Sequence, residues 1–322
     1  MDITSNCTIS TLKAAAASIL AGNLVAFPTE TVYGLGADAT NKKAVARIYE
    51  VKGRPTDHPV IVHISSINNL EKWAKDIPEY AIKLARNFWP GPMTLILPRT
   101  ELAKDFITGG QNNVGVRVPS HTVAILLLKE FEAQGGLGIA APSANRYSKV
   151  SSTSAEAVKL ELGNFMKSKD KIIDGGPSII GVESTIINCM KNVPVILRPG
   201  AITKNMIEKV CGISLTQSIL KDNQIKAPGL TQSHYSPLAK VFLIGNPGEN
   251  DGFIALSNIS TPKGAIRLAV PKNNEQYAHQ LYNALRLADQ QQLKKVFVVL
   301  PTGDDIAIAI RDRLRKAASN NQ

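Results

Sequence analysis

The sequence contains few of the residues that mark disulfide-rich or zinc-binding proteins. Only three cysteines occur in 322 residues, namely Cys7, Cys189 and Cys211. They are odd in number and far apart, and no CxxC pair or histidine partner stands at zinc-binding spacing. We therefore expect three reduced thiols in the core, with neither a disulfide framework nor a zinc site.

Long hydrophobic runs are also missing. Gly22 and Asn23 interrupt "KAAAASILAGNLVAF", and no run approaches the roughly 20 apolar residues that a membrane helix needs. The same stretch is a poor secretory signal, because one acid and one lysine precede it where a signal peptide has a basic cluster. The sequence thus predicts a cytoplasmic protein without a membrane segment.

Several motifs of well-known enzyme classes are absent as well. The chain has no Walker lysine loop, no G-x-S-x-G elbow and no His/Asp/Glu cluster at metal-binding spacing. The formal net charge is +11, and residues 239–322 carry +4 of it, so the surplus is spread along the chain. This distribution argues against a basic nucleic-acid tail and suits an interior site for a multiply charged anion. A shallow RNA-binding face remains an alternative.

Alternating helical and strand patterns predict an α/β protein of more than one domain. We place a first domain at residues 1–212, a linker at 213–238 where periodicity is lost, and a second domain at 239–322. The second domain reads as a small parallel α/β sheet. It lacks a G-x-G-x-x-G after its first strand, so no dinucleotide site is indicated.

The patterns also give approximate element boundaries. Helices are predicted from caps at Ser10, Asn41 and Thr153, and at 79–88, 121–133, 203–211, 275–291 and 304–318. Strands are predicted at 24–28, 60–64, 93–97, 114–118, 137–141, 171–174, 184–188 and 194–198, and at 241–245, 252–257, 265–270 and 296–301.

Two stretches near the N-terminus contain candidate ligand contacts. "FPTETVYGLGAD" (27–38) follows a predicted strand with hydroxyls and two glycines, which is typical of a ligand loop or of a polar turn. In "KGRPTDHP", Lys52 and Arg54 stand on either side of Gly53. The lysine ammonium is a point charge and the arginine guanidinium is a planar group of donors, so together they suit different phosphates of one nucleotide. The alternative is that both are solvated cations at the end of a helix.

Other polar side chains occur inside or just after predicted strands. His63 lies in "VIVHI", where a hydrogen-bonded core histidine is the alternative to a functional one. Arg117 lies in "VGVRVPS" and must be paired or face a ligand. "APSANRYSKVSS", "GVEST" and "LRPG" add hydroxyls, Glu183 and Arg198. Strand ends that carry hydroxyls and cations predict an anion-binding cleft but do not define a reaction.

Seven motifs in one order resemble the YrdC-type threonylcarbamoyl-AMP synthase family, and the resemblance spans nearly all of residues 8–212. The motifs are "FPTETVYGLGADA", "KGRPTDHPVIVHI", "WPGPMTLIL", "VGVRVPSH", "APSANRYSKVSST", "DGGPSIIGVESTI" and "LRPGAIT". "APGLTQSHYSP" followed by an α/β tail is similar to the long form of the family, in which a linker joins an extra C-terminal domain. The resemblance implies a twisted mixed sheet with helices that forms a basic cleft, and a Rossmann-like C-terminal domain.

It also implies an activity, namely formation of L-threonylcarbamoyladenylate and pyrophosphate from L-threonine, bicarbonate and ATP. The product serves the threonylcarbamoyl-adenosine modification of tRNA beside the anticodon and passes to a tRNA threonylcarbamoyl transferase complex. Mg²⁺ is expected to arrive with the ATP phosphates, and neither a protein metal site nor an organic cofactor is implied.

Carried over position by position, the resemblance implies a set of site residues. Catalytic roles are implied for Lys52 and Arg54. Threonine contacts are implied for Thr31, His63, Arg117, Ala141 and Ser184. ATP contacts are implied for Lys52, Arg54, His58, Asn113, Ser143, Asn145, Ser151, Arg198, His234 and Tyr235. The family usually has asparagine where this chain has His58, and the linker residues His234 and Tyr235 are expected to form a lid.

Two other functions remain as alternatives. A double-stranded RNA-binding or translation-associated module would bind with a steep salt dependence and without regard to ATP. A related carbamoyl-transfer enzyme with another acceptor would release pyrophosphate without threonine, but Thr31, His63 and Arg117 argue against it.

Overall fold

The described part of the chain forms two β-sheets with helices packed against them. The computed structural model describes residues 3–4, 7–215, 225–229 and 234–319, so residues 216–224 and 230–233 of the predicted linker lie outside the described part. One sheet has ten strands of mixed direction, and the other has four strands that are all parallel. The predicted α/β class, with a mixed sheet followed by a small parallel one, is confirmed.

The strands of the larger sheet are β1 (Ile3–Thr4), β2 (Val25–Phe27), β3 (Gly34–Asp38), β4 (Ile61–His63), β5 (Met93–Pro98), β6 (Asn113–Arg117), β7 (Ile139–Ala140), β8 (Lys171–Ile173), β9 (Thr185–Asn188) and β10 (Val195–Arg198). Those of the smaller sheet are β11 (Lys240–Phe242), β12 (Gly252–Ile254), β13 (Ile266–Ala269) and β14 (Lys295–Val298).

The helices are α1 (Ile9–Leu20), α2 (Lys42–Lys52), α3 (Leu70–Trp73), α4 (Glu79–Phe88), α5 (Asp105–Thr108), α6 (Thr122–Ala133), α7 (Ala155–Leu162), α8 (Lys204–Cys211), α9 (Asn274–Gln290) and α10 (Ala307–Ala318). Within the described residues, none of these helices has the length and apolar character required to span a bilayer.

The strand order of the larger sheet brings distant motifs together. The order is β1-β8-β2-β3-β7-β4-β6-β5-β9-β10, and β4 runs parallel to β6 with His63 opposite Arg117. Strand β3 pairs antiparallel with β2. The stretch 27–38, predicted as a ligand loop, therefore contains a loop at its start and a buried strand at its end. This strand was not predicted, because Gly34 and Gly36 lower its β-propensity.

Both faces of the larger sheet are covered. Leu24 and Ala26 belong to one core cluster together with residues of α2 and α4, whereas Val25 and Phe27 belong to another with residues of α1 and α6. Alternate residues of a strand point to opposite faces, so strand β2 separates two hydrophobic layers. This burial leaves room for polar ligands only where loops interrupt the helical cover.

Helix α2 ends at the predicted phosphate loop for reasons visible in the sequence. The Asn41 side chain accepts hydrogen bonds from the backbone N–H groups of Lys43 and Ala44, which confirms the predicted cap. Gly53 ends the helix at a φ of 62°. This left-handed conformation favours glycine and turns the chain towards Arg54.

Two other predicted helix caps are wrong by one or two residues. Thr8, and not Ser10, caps α1 by accepting from the Thr11 N–H at 3.2 Å. Ser154, and not Thr153, caps α7 by accepting from the Ala157 N–H at 3.2 Å. Each helix start offers more than one hydroxyl, and Thr8 and Ser154 have the extended backbone of a cap, whereas Ser10 lies inside α1.

The C-terminal sheet docks on the larger domain mainly through α9. Arg286 donates to the Glu161 carboxylate at 2.9 Å, and the His279 ring lies 3.0 Å from the carbonyl oxygen of Ser178. Gly181 lies directly against α9, because a Cβ at this position would be 2.4 Å from the Ala278 carbonyl oxygen. The two sheets are thus held together by close backbone contact as well as by ion pairs.

This close contact predicts the effect of adding one methyl group. Gly181→Ala is expected to lower the free energy of unfolding in urea by about 2 kcal/mol, because its φ of 85° is strained for alanine and the clash is with backbone. Gly176→Ala is the matched control, since Gly176 has a φ of 84° but nothing within 4 Å of its Cβ position. The free energy of unfolding of Gly176→Ala should fall by only about 1 kcal/mol. Equal losses for the two variants would show that α9 does not press on residue 181.

Candidate active site

A cavity lies over one face of the larger sheet, around β4 and β6. Ile61 and His63 both line it, as expected for residues two apart on one strand. The cavity brings together the following residues of the predicted site: Thr31, Arg54, His63, Arg117, Ala141, Ser143, Ser184, Arg198, His234 and Tyr235. They come from six separate sequence motifs and the linker.

The other predicted site residues do not line this cavity. Lys52 is buried beside it and donates to the carbonyl oxygens of Ser143 and Asn145, while Ser151 donates to Glu183 at 2.6 Å. His58 lies against the Tyr147 ring, with ring centroids 5.6 Å apart. Asn145 donates to the carbonyl oxygens of Arg146 and Lys149, and Asn113 begins β6. Lys52 also borders a separate groove between the two domains.

Three buried cations distinguish this region. Lys52, Arg54 and Arg198 are 2%, 7% and 4% exposed. None of them takes part in an ion pair within the described part of the chain. Burial lowers the pKa of each group, and the positive charge of Arg54 lowers the pKa of Lys52 further. Buried charges without counter-ions are costly, so this group favours an anionic ligand.

Arg117 differs because it is already paired. It donates to the Glu30 carboxylate at 2.6 Å and to the Thr31 hydroxyl at 2.9 Å. Glu30 also accepts from the Ser120 N–H at 3.1 Å. Glu30 therefore fixes the guanidinium of Arg117 against the cavity wall, a role that the sequence did not reveal.

The two histidines of the cavity are held neutral. Burial lowers the pKa of His63 to about 3, with a further contribution from the charge of Arg117. Burial also lowers the pKa of His234 to about 3, with Lys52, Arg54 and Arg198 adding to the effect and Glu183 opposing it. At neutral pH both rings can donate and accept hydrogen bonds but carry no charge.

The linker closes the cavity with a row of rings. The rings of Tyr147 and His234 have centroids 6.1 Å apart, those of His234 and Tyr235 are 4.1 Å apart, and those of Tyr235 and Tyr282 are 5.8 Å apart. The row passes from the first domain through the linker to α9. The carbonyl oxygen of Pro228 also accepts from Arg198 at 3.0 Å, so the linker contacts a cavity cation directly.

Several buried polar atoms in or near the cavity wall have no hydrogen-bond partner among the described residues. They are Arg54 Nε, His63 Nδ1, Asn145 Oδ1, His234 Nδ1 and the Tyr235 hydroxyl. Buried polar atoms in native proteins are nearly always satisfied, so a concentration of unsatisfied ones marks a place where a polar ligand binds. No group of three or more metal-ligating side chains occurs in the described part of the chain.

Four functional candidates escaped the sequence reasoning, namely Glu30, Tyr147, Tyr282 and Arg313. Glu30 and Tyr147 belong to motifs that were singled out, yet their partners lie far away in sequence. Tyr282 and Arg313 sit on ordinary amphipathic helices, and Arg313 donates to Glu183 at 2.8 Å. No local pattern marks a helix residue whose partner is 130 positions away.

The fold and the cavity define a class: an α/β protein with two sheets, whose buried cationic cavity suits an anionic small molecule beneath the segment that joins them. Two family models cover this chain. The Sua5/YciO/YrdC model, described as telomere recombination, matches residues 17–200, and the model for the C-terminal domain of threonylcarbamoyl-AMP synthase matches residues 202–319. The chain belongs to the Sua5 family of threonylcarbamoyl-AMP synthases, in its long form, and is an enzyme of that type.

Individual relatives agree with this assignment. A threonylcarbamoyl-AMP synthase of Pyrococcus abyssi is 39% identical over 95% of this chain and 94% of its own length. A Bacillus subtilis protein of the same name is 39% identical over 94% and 92%. The crystal structure of P. abyssi Sua5 complexed with L-threonine matches with a TM-score of 0.88 and 38% identity, and covers 99% of this chain and 98% of that one.

Proposed function

We propose that this chain synthesises L-threonylcarbamoyl-AMP from L-threonine, bicarbonate and ATP and releases pyrophosphate. The observation that carries the proposal is the group of buried, unpaired cations at 52, 54 and 198 beside the paired Arg117. Such an arrangement suits a triphosphate next to an amino-acid carboxylate. The printed names of the relatives, and the threonine complex of P. abyssi Sua5, support the same reaction.

The residues divide into two groups in this proposal. Thr31, His63, Arg117, Ala141 and Ser184 hold threonine. Arg54, His58, Asn113, Ser143, Asn145, Ser151, Arg198, His234 and Tyr235 hold ATP, which enters as its magnesium complex. Lys52 acts with Arg54 on the phosphates and also braces the loop of Ser143 through its carbonyl oxygen.

The chemistry brings anions together twice. The threonine amine adds to carbon dioxide derived from bicarbonate and loses a proton, which gives a carbamate. A carbamate oxygen then forms a bond to the α-phosphorus of ATP, and the bond from that phosphorus to the pyrophosphate oxygen breaks. The cations offset the repulsion and stabilise charge on the transferring phosphoryl group, and closure by the linker excludes water from the labile carbamate. No covalent enzyme intermediate is needed.

The product then serves the N6-threonylcarbamoyladenosine modification of tRNA beside the anticodon, through a tRNA threonylcarbamoyl transferase complex. The alternative of an RNA-binding module is disfavoured by the burial of Lys52, Arg54 and Arg198, because RNA phosphates need accessible cations.

One assay tests the proposal. The protein is mixed with magnesium, ATP, bicarbonate and each of the 20 amino acids in turn, and the adenylates are weighed by mass spectrometry. Of the amino acids tested, we expect only threonine to give pyrophosphate release and a carbamoyl adenylate. Pyrophosphate release without threonine would indicate another acceptor, and RNA binding without any ATP turnover would support the alternative.

A further inference from the structure

The Glu183 carboxylate lies in the cavity wall but takes most of its hydrogen bonds from the C-terminal domain. It accepts from Arg313 Nε at 2.8 Å and from the Tyr282 hydroxyl at 3.0 and 3.1 Å. From its own domain it accepts from the Ser151 hydroxyl at 2.6 Å. The side chains of Glu183 and Arg313 are 7% and 0% exposed, so the pair is shielded from water.

Arg313 is fixed on several sides. It donates to the Asp312 carboxylate at 2.6 Å and to the backbone carbonyl oxygen of Glu183 at 3.5 Å. Its guanidinium also lies over the Tyr235 ring, 5.2 Å from the ring centroid. One side chain of α10 thus contacts the main chain and the carboxylate of residue 183 as well as the linker.

Residue 183 stands between two groups of cavity contacts. Ser151 is bonded to its carboxylate, and Ser184 follows it in the chain. The Ser184 hydroxyl lies 2.8 Å from that of Thr94 and accepts from Arg198 at 3.2 Å. A movement of residue 183 would therefore displace a proposed ATP contact and a proposed threonine contact together.

We propose that Arg313 is a positioning residue for the active site, which holds the Glu183 carboxylate in place so that Ser151 and Ser184 keep their positions at the cavity. This inference rests on the proposed function for the identity of the ligands. The C-terminal domain then supplies part of the electrostatics of the catalytic cavity, in addition to any role in carrying the linker.

The charges around Glu183 agree with this role. Burial raises the pKa of its carboxyl group, but the charges of Arg313 and Arg198 and the hydrogen bonds from Ser151 and Arg313 outweigh burial and lower the pKa to about 2. The titratable and charged groups that interact with it are Arg313 from α10, Tyr282 from α9, Arg198 from β10, and His234 and Tyr235 from the linker. Asp312 is paired with Arg313. After loss of Arg313, the charge of Arg198 and the hydrogen bond from Ser151 would remain to oppose the effect of burial.

The test compares variants of the full-length protein across pH. Arg313→Met should raise the pKa of Glu183, so the carboxylate protonates as the pH falls and can no longer accept every hydrogen bond. We expect kcat/KM for threonine about tenfold below wild type near pH 6, with partial recovery near pH 8.5. The wild type should show no such titration. Arg313→Lys keeps the positive charge, so its kcat/KM for threonine near pH 6 should be close to that of the wild type.

Two further variants serve as controls. Arg315→Met removes an exposed charge from the same helix and should match wild type at every pH. Glu183→Gln should be impaired at all pH values, and adding Arg313→Met to it should cause little further loss. A direct readout is the titration of the Glu183 carboxyl group by carbon-13 NMR, with Glu183→Gln used to assign the signal.

The outcomes separate this inference from the proposed function. If the wild type releases no pyrophosphate with threonine, the proposed function fails, and the NMR titration still measures whether Arg313 sets the charge of Glu183. If turnover is normal in wild type but Arg313→Met only lowers the melting temperature, with a pH profile parallel to wild type, Arg313 is structural and the inference is wrong.

Discussion

Replacing Arg54 with alanine is expected to weaken ATP binding about a hundredfold, which corresponds to about 3 kcal/mol. One guanidinium nitrogen of Arg54 donates to the Pro59 carbonyl oxygen at 2.9 Å, which fixes the direction of the side chain. Its Nε is buried and has no partner among the described residues, so this cavity-lining side chain has at least one unsatisfied donor. A phosphate would accept from it with full charge assistance in a site closed to water.

Calorimetric titration with a non-hydrolysable ATP analogue measures this effect without turnover. Arg54→Lys keeps the charge but loses the planar fork, so its affinity should fall between those of wild type and Arg54→Ala. Lys43→Ala removes an exposed charge from α2 and should leave the affinity unchanged. If Arg54→Ala binds the analogue as tightly as Lys43→Ala does, the phosphates do not lie at Arg54.

Features that depend on neighbouring residues were predicted well from the sequence. Helices α2 and α4 were predicted closely because Asn41, Gly53 and the apolar periodicity act within one or two turns of the chain. Most strands were found where β-branched residues dominate, but the two-residue β1 and the glycine-rich β3 were missed. Strand β3 was missed because glycine and alanine bury as well in a sheet as larger residues but give no periodic signal.

The candidate site was predictable only in part for a related reason. The motifs named the cavity residues, but not which of them would already be paired. Whether Arg117 is free or bound to Glu30 depends on a contact 87 residues apart along the chain. Likewise, Lys52 ends α2 beside Arg54, yet its ammonium group turns to the carbonyl oxygens of Ser143 and Asn145. The sequence identifies the charged side chains, whereas tertiary packing determines which groups they contact.

The second domain illustrates the same limit most clearly. Its parallel sheet followed from alternating strand and helix patterns, and the absence of a glycine-rich phosphate loop gave no sign of a ligand. Its contacts with the cavity-lining Glu183 come instead from Tyr282 and Arg313, on α9 and α10. Only the docking of the two sheets places these side chains beside Glu183.

The buried pair of Arg117 and Glu30 should have the largest effect on stability of any single contact in the cavity. Arg117→Met leaves the Glu30 carboxylate buried without its cation and removes the donor to the Thr31 hydroxyl. We expect the free energy of unfolding in urea to fall by about 3–5 kcal/mol. Arg99→Met breaks the pair with Asp105, whose side chain is 76% exposed, and should lose less than about 1 kcal/mol.

A double variant separates the structural role of Arg117 from its role towards threonine. In Arg117→Met with Glu30→Gln, no carboxylate remains buried without a partner, so most of the lost stability should return. Threonine binding, measured by calorimetry, should be lost in Arg117→Met and in the double variant, because both lack the cation that we propose faces the threonine carboxylate. If threonine affinity recovers together with stability, Arg117 acts on the fold alone, and the amino acid must take its carboxylate contact from another cation of the cavity.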